Sequence, residues 1–193
     1  MMLVKPAYTI DQLIARCKAG ERQAQALLYK QFASKMLGVC MRYATDKMEA
    51  EDMLQNGFVK LFGKLADYRG EGAFEGWVRR IIVHSAIEYY RKHHKMVKAM
   101  DVVDMDNQPS VNPAVLANMG AKDLLALIQR LSPGYKIVFN LYAIEGYSHK
   151  EIAAIVGITE GASRSQLSRA RAILKEMVLK MEDKQYGYAG QGV

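Results

Sequence analysis

Two cysteines, one tryptophan and four histidines are all that 193 residues offer in several of the types that carry redox or metal chemistry. Cys17 and Cys40 each stand alone in helical pattern, so they read as buried thiols of a reducing compartment rather than a disulfide. His93 and His94 are adjacent, and on a helix neighbours point about 100° apart, which rules out joint chelation. His84 and His149 have no Cys or Asp at ligand spacing, so no metal site is expected. A phosphate loop, a nucleophile elbow and an HExxH helix are all missing. The expectation is therefore a protein without cofactor or small-molecule substrate, and not an enzyme. No apolar run approaches a membrane span and the N-terminus lacks a signal-peptide core, which points to the cytoplasm without membrane insertion. Alternating apolar residues, the mark of a half-buried strand, appear nowhere, so the fold class is all-α.

What the chain does have is positive charge. It carries 27 Lys and Arg against 20 Asp and Glu, a formal +7 that favours a polyanionic partner. Half of its residues are hydrophobic, enough for one large domain or two small ones.

The stretch Gly146–Leu174 is the most informative. Ser148 and Glu151 can form a capping box, and Ile152, Ala153 and Val156 then share a face at helical spacing. Gly157 suits a reversal that needs positive φ, and Thr159 can cap a second helix. In that helix Ser163, Leu167, Ala170 and Leu174 form the inward stripe, leaving Arg164, Ser165, Ser168, Arg169 and Arg171 largely outside. Small Ala153, Gly157 four residues on, and a cationic second helix describe a DNA-binding helix-turn-helix. A plain pair of packed helices with a solvated basic face is the rival reading.

Taken in order, Thr9 and Gln12 can box-cap a helix that stops at Gly20. A second helix spans about Arg22–Ala44, with Ala24, Leu27, Leu28, Phe32, Met36, Val39, Cys40 and Tyr43 inward. A third opens near Asp46, with Met53, Leu54, Phe58, Leu61, Phe62 and Leu65 inward and Glu49, Asp52, Gln55 and Val59 on another face. Its acidic first turn suits the helix dipole, and equally suits a docking surface for a basic protein. Ala66–Ala73 is a loop, and a fourth helix runs from Phe74 to about Lys95, with Trp77, Ile81, Ile82, Ala86 and Tyr89 at helical intervals. Met96–Gly120, acidic and broken by Pro109 and Pro113, reads as a linker. Helical pattern resumes at Ala121–Arg130. Ser132–Pro133 then opens a helix (Ile137, Val138, Leu141, Ile144) that ends at Gly146, and Asp183–Val193 reads as a frayed tail.

Arg79, Arg80, Arg91, Lys92, Lys95 and Lys98 make the fourth helix and its end cationic, with Tyr68, Phe74, Trp77, Tyr89 and Tyr90 interleaved. Cations track a phosphate backbone and aromatic faces accept unstacked bases, so a single-strand surface is one reading. The other places Trp77 and Tyr89 in the core and leaves the cations solvated. A second cationic element in the other half of the chain favours nucleic acid over membrane.

The ordered segments EAEDMLQNGFVKLF, YRGEGAFEGWVRRIIVHSAIEYYRKHHK and LSPGYKIVFNLYAIEGYSHKEIAAIVGITEGASRSQLSRAR together resemble the extracytoplasmic-function sigma factors, from about Tyr8 to Met181. The resemblance implies two helical domains, sigma region two (residues 8–95) and sigma region four (121–182), on either side of a flexible acidic linker (96–120), with a tail at 183–193. It implies bacterial core RNA polymerase and promoter DNA as partners, and for many members an anti-sigma protein. Asp52, Gln55 and Val59 match the core-binding face. Tyr68, Arg69, Gly70, Glu71, Gly72 and Ala73 match the loop that traps a flipped minus-ten base, with Trp77, Arg80 and His84 beside it. Arg164, Ser165, Ser168, Arg169 and Arg171 match the minus-thirty-five contacts. Asn56, His84, Ser163 and Ser168 depart from the family's usual residues, Ser163 standing where an apolar side chain is frequent. A helix-turn-helix regulator working without polymerase and a metal-dependent nuclease are the rival functions.

Overall fold

A computed structural model describes residues 8–93 and 120–187, and every regular element among them is helical. Residues 96–119 of the expected linker lie outside the described residues, as do 1–7, the expected end of the fourth helix at 94–95 and the last residues, 188–193. The chain divides into two compact units, Met1–Tyr90 and Arg91–Val193.

In the first unit, α1 (Ile10–Lys18) opens on the expected capping box and α2 (Arg22–Cys40) packs against it. The α2 core runs Ala24, Leu28, Phe32, Met36, Val39 and Cys40. Leu27, expected among them, is 43 % exposed. At about 100° per residue it falls well over a quarter turn from the centre of that stripe. The helix also ends at Cys40 rather than Ala44, yet Tyr43 and Ala44 stay fully buried beyond it. Helix α3 (Lys47–Lys64) is capped by Asp46, whose Oδ1 accepts the Glu49 N–H at 2.8 Å. It buries Met53, Leu54, Gly57, Phe58 and Leu61, whereas Phe62 is only half-buried. A 3-10 turn (Leu65–Asp67) leads into the loop before α4 (Phe74–His93).

The inward face of α4 includes Ile82 and Ala86 as expected but is otherwise shifted by one residue. Phe74, Val78, Ile82, Ala86 and Tyr90 are buried, while Trp77, Ile81 and Tyr89 are half-buried. Both series are apolar, so periodicity alone could not choose between them. A Cβ on Gly57 would come within 2.5 Å of Ile82 Cδ1, so the bare backbone of α3 receives Ile82 there.

The second unit contains α5 (Ala121–Gln129), α6 (Pro133–Phe139), α7 (His149–Val156) and α8 (Glu160–Gly187). Pro133 occupies the first turn of α6, where its missing N–H costs nothing, but the Ser132 side chain makes no cap bond. Instead of continuing as one α-helix to Gly146, the chain widens into a π-turn at Asn140–Ile144, and Ile144 is half-buried. Leu127, Leu131, Ala170, Leu174 and Val178 form one core cluster, flanked by Tyr135, Phe139, Ile173 and Met177. Helix α8 continues to Gly187, past the expected start of the tail.

Candidate nucleic-acid interface

The helix-turn-helix is built from local signals. Ser148 Oγ accepts the Glu151 N–H at 3.3 Å while the Glu151 carboxylate accepts from Ser148 N at 2.8 Å. Gly157 takes φ +80°, the left-handed conformation that a side chain would strain. Thr159 Oγ1 accepts the Ala162 N–H at 3.1 Å. Ser163, Leu167, Ala170 and Leu174 are all buried, which fixes the outer face of α8. Arg164, Ser168 and Arg171 are exposed there, whereas Ser165 and Arg169 are half-buried rather than outside. Arg169 leans inward, its guanidinium donating to the Tyr135 hydroxyl at 3.4 Å. Arg164 forms an exposed ion pair with Glu160 at 2.5 Å, a contact weak enough in water to be exchanged for another anion.

Ser163 takes a buried position that the resemblance leads one to expect apolar. Its fully buried hydroxyl lies 2.9 Å from His149 Nδ1, a polar tie between α7 and α8. Tyr142 stacks on His149 at 4.6 Å, and the Arg171 guanidinium sits 5.6 Å from the Tyr142 ring. Burial first, then the charge of Arg164, opposed by Glu160 and helped least by Arg171, holds the His149 imidazole below the ordinary histidine range. No sequence signal pairs residues 149 and 163, because nothing local to either names the other.

In the first unit the rings of Tyr68, Phe74 and Trp77 meet. Tyr68 lies 5.0 Å from Phe74 and 5.1 Å from Trp77, and Phe74 and Trp77 stack at 5.6 Å. Gly70 and Gly72 both have positive φ, and the Tyr68 hydroxyl donates to the Gly72 carbonyl at 3.1 Å across the loop. Trp77 thus belongs to both earlier readings: half in the core, half presented beside the loop. Arg69 in the loop and Arg80 and His84 on α4 are exposed. Desolvation, then the charges of Arg80 and Lys64, keeps the His84 imidazole below the usual histidine range even though the residue is open to solvent. Lys18 of α1, which the sequence did not single out, donates from Nζ to the Tyr68 carbonyl at 2.9 Å.

On α3, Asp52, Gln55 and Val59 are exposed together. Met48, 72 % exposed one turn before Asp52, shares their face. Glu49, expected beside Asp52, is instead buried, its carboxylate accepting from Thr45 N at 2.6 Å and Thr45 Oγ1 at 2.5 Å. The Asp52 carboxylate accepts from the Tyr89 hydroxyl at 3.2 Å, joining α3 to α4.

The thiols are chemically quiet: both are buried, and desolvation pushes Cys40 up to about 12. Among the described residues no three His, Cys, Asp or Glu side chains gather to hold a metal, and no helix is long and apolar enough to cross a membrane.

Two family models match the chain, Sigma-70 region 2 over residues 28–96 and Sigma-70 region 4 over residues 121–174, together more than half of it. The RNA polymerase sigma-H factor of Pseudomonas aeruginosa is 28% identical over 172 residues, which are 83% of this chain and 89% of that one. The ECF RNA polymerase sigma factor SigE of Mycolicibacterium smegmatis is 30% identical over 158 residues, 79% of this chain and 61% of that one. The chain belongs to the extracytoplasmic-function sigma factors. As a sigma factor it serves in transcription initiation, its first unit carrying region 2 and its second region 4. A solved structure, the sigma factor RpoE in complex with the anti-sigma factor NepR from Bartonella quintana, is similar at TM-score 0.48 and 24% identity, covering 79% of this chain and 96% of that one.

Proposed function

We propose that this sigma factor joins core RNA polymerase through α3, opens promoter DNA at a minus-ten element with the Tyr68–Ala73 loop, and reads a minus-thirty-five element with α8. The observation that carries the proposal is a division of exposed chemistry between the two units. Region 2 presents the half-buried rings of Tyr68 and Trp77, backed by buried Phe74, with Arg69, Arg80 and His84 exposed on the same elements. Region 4 presents Arg164, Ser168 and Arg171 along one outward row of a helix-turn-helix. The first suits an unstacked base and the second a duplex groove.

The energetics fit each task. Flipping a base costs a few kcal/mol, and stacking on an aromatic ring returns about 1–3 kcal/mol per base. In the major groove an Arg forked onto a guanine edge is worth about 1–3 kcal/mol of discrimination. Arg164 and Arg171 are the exposed guanidiniums able to do this, with Ser168 between them. Ser165 and Arg169 have supporting roles, Arg169 reaching outward only by leaving Tyr135. On α3, Asp52 and Gln55 supply polar contacts to core polymerase, and Val59 with Met48 supplies the apolar ones. The factor acts in the cytoplasm, where polymerase and chromosome meet, and catalyses no bond-breaking itself. An anti-sigma protein that covers either face would silence it.

Run-off transcription with purified core polymerase on a randomised promoter library tests the whole reading, and defined start sites that require this chain are the expected result. A gel shift adds the discriminating control: promoter binding should be weak alone and strong with core. Tight duplex binding without core would favour a free-standing regulator. Asp52→Lys should lower core affinity while leaving region 2 folded by circular dichroism, and unchanged affinity would discredit the α3 face.

A further inference from the structure

The loop that region 2 presents is held by more than its own residues. Lys18 Nζ, at the end of α1, donates to the carbonyls of Tyr68 at 2.9 Å and Ala66 at 3.5 Å. Those carbonyls lie 50 and 48 residues downstream, at the point where the 3-10 turn opens into the loop. The Tyr68 hydroxyl then spans the loop to Gly72, and Lys35 of α2 pairs with Glu75 at 2.6 Å where α4 begins. The loop is therefore tied at its entrance, across its mouth and at its exit. Helix α1 precedes residues 28–96, the span matched to Sigma-70 region 2, so the match gives it no role.

A bland account of Lys18 exists: a cation in the last turn of a helix complements the dipole. It does not explain why the ammonium reaches out of α1 to a pair of carbonyls on another segment. A cation bonded to backbone carbonyls fixes the peptide planes on either side, and here those planes carry the Tyr68 ring that meets Trp77 and Phe74. Order present before binding is order that DNA need not impose, and any shortfall comes out of the energy available to tell one base from another.

We infer that Lys18 is a positioning residue for base discrimination at the minus-ten element, acting through the Ala66 and Tyr68 carbonyls to hold the aromatic loop in its reading geometry. The inference rests on the proposed role of that loop.

The test uses holoenzyme assembled from core polymerase and the full chain, on a promoter recovered from the randomised library. That promoter is compared with versions changed at each minus-ten base. Lys18→Met keeps the aliphatic stem and removes the donor, while Lys18→Arg keeps a cationic donor. The expected result is that Lys18→Met lowers the preference for the native base by ~10-fold, the scale of one charged hydrogen bond in a partly wet site, and that Lys18→Arg restores most of it. Core affinity should match the parent, and far-UV circular dichroism should show the helices intact. Fluorescence of Trp77, the chain's single tryptophan, should shift in Lys18→Met and return in Lys18→Arg. Equal weakening on native and altered promoters, with a salt slope reduced by about one, would make Lys18 a direct phosphate contact and overturn the inference. Unchanged discrimination would overturn it too. Trp77→Ala and Tyr68→Ala separate the two levels: if they also spare discrimination, the loop's own assignment fails. If they abolish it and Lys18→Met does not, only the role of Lys18 fails.

Discussion

Region 4 and region 2 reach their exposed chemistry by opposite routes. In region 4 a single helix carries it: α8 buries Ser163, Leu167, Ala170 and Leu174, which leaves Arg164, Ser168 and Arg171 facing out. In region 2 the corresponding surface is assembled from α1, α2, α3, the loop and α4, and side-chain bonds across elements hold it. Lys18 reaches Tyr68, Lys35 reaches Glu75, Lys60 reaches Glu88 at 2.6 Å, and Tyr89 reaches Asp52. A duplex groove is a regular object that a rigid rod can read. An unpaired strand has no fixed shape, so its receptor must supply the order and needs several elements to do so.

The contrast can be broken or sharpened by substitution. The largest effect should come from the stripe on which region 4 depends: Leu174→Ala should cost about 2–5 kcal/mol, read by denaturant unfolding. A loss well under 1 kcal/mol would mean that the helix is not the determinant it is taken to be. Next, Trp77→Ala and Arg164→Ala should each remove about 1–3 kcal/mol of promoter affinity in holoenzyme, on different elements. Footprinting should show the first sparing minus-thirty-five contacts and the second sparing promoter opening. If both variants damage both elements, the division of labour is wrong.

Smaller effects probe the polar tie inside region 4. Ser163→Ala removes the partner of His149 Nδ1 and should destabilise by about 0.5–1.5 kcal/mol, since it deletes one hydrogen bond in a buried setting. Ser163→Thr, which retains the hydroxyl, should lose less if the bond matters. Smallest is the pH response. Both His84 and His149 are held below the ordinary value of 6.5, so the unfolded chain binds more protons than the folded one as pH falls through that value. Their contribution is present above about pH 6.5 and is lost as pH drops toward the folded values, so the melting temperature should fall from pH 7 to 5.5. His149→Gln should flatten part of that slope.

Legibility in the sequence followed the same divide. Capping boxes at Thr9–Gln12 and Ser148–Glu151, the left-handed Gly157 and the α8 stripe were all readable, because each depends on residues within a turn or two of one another. Expectation and structure part on α4 where two local answers are equally good. On α4 Ile82 and Ala86 are buried as expected, but Trp77, Ile81 and Tyr89 and the residues that follow each of them are equally apolar, and it is Val78, Ile82 and Tyr90 that are buried. Leu27 looked like core because it is hydrophobic, and Glu49 looked exposed because it is charged. The first lies off the stripe, and the second turns back to bond Thr45.

The order of its motifs determined, without any structure, that this chain is all-helical, carries a helix-turn-helix and resembles a sigma factor. Tertiary structure alone decided which face of α4 is buried, that Lys18 meets Tyr68, that His149 meets Ser163 and that Arg169 turns toward Tyr135. Caps, turns and helical stripes are fixed by interactions over a few residues, so sequence encodes them directly. Contacts between distant side chains depend on how whole helices rotate and dock, and that is settled only when their surfaces are packed together.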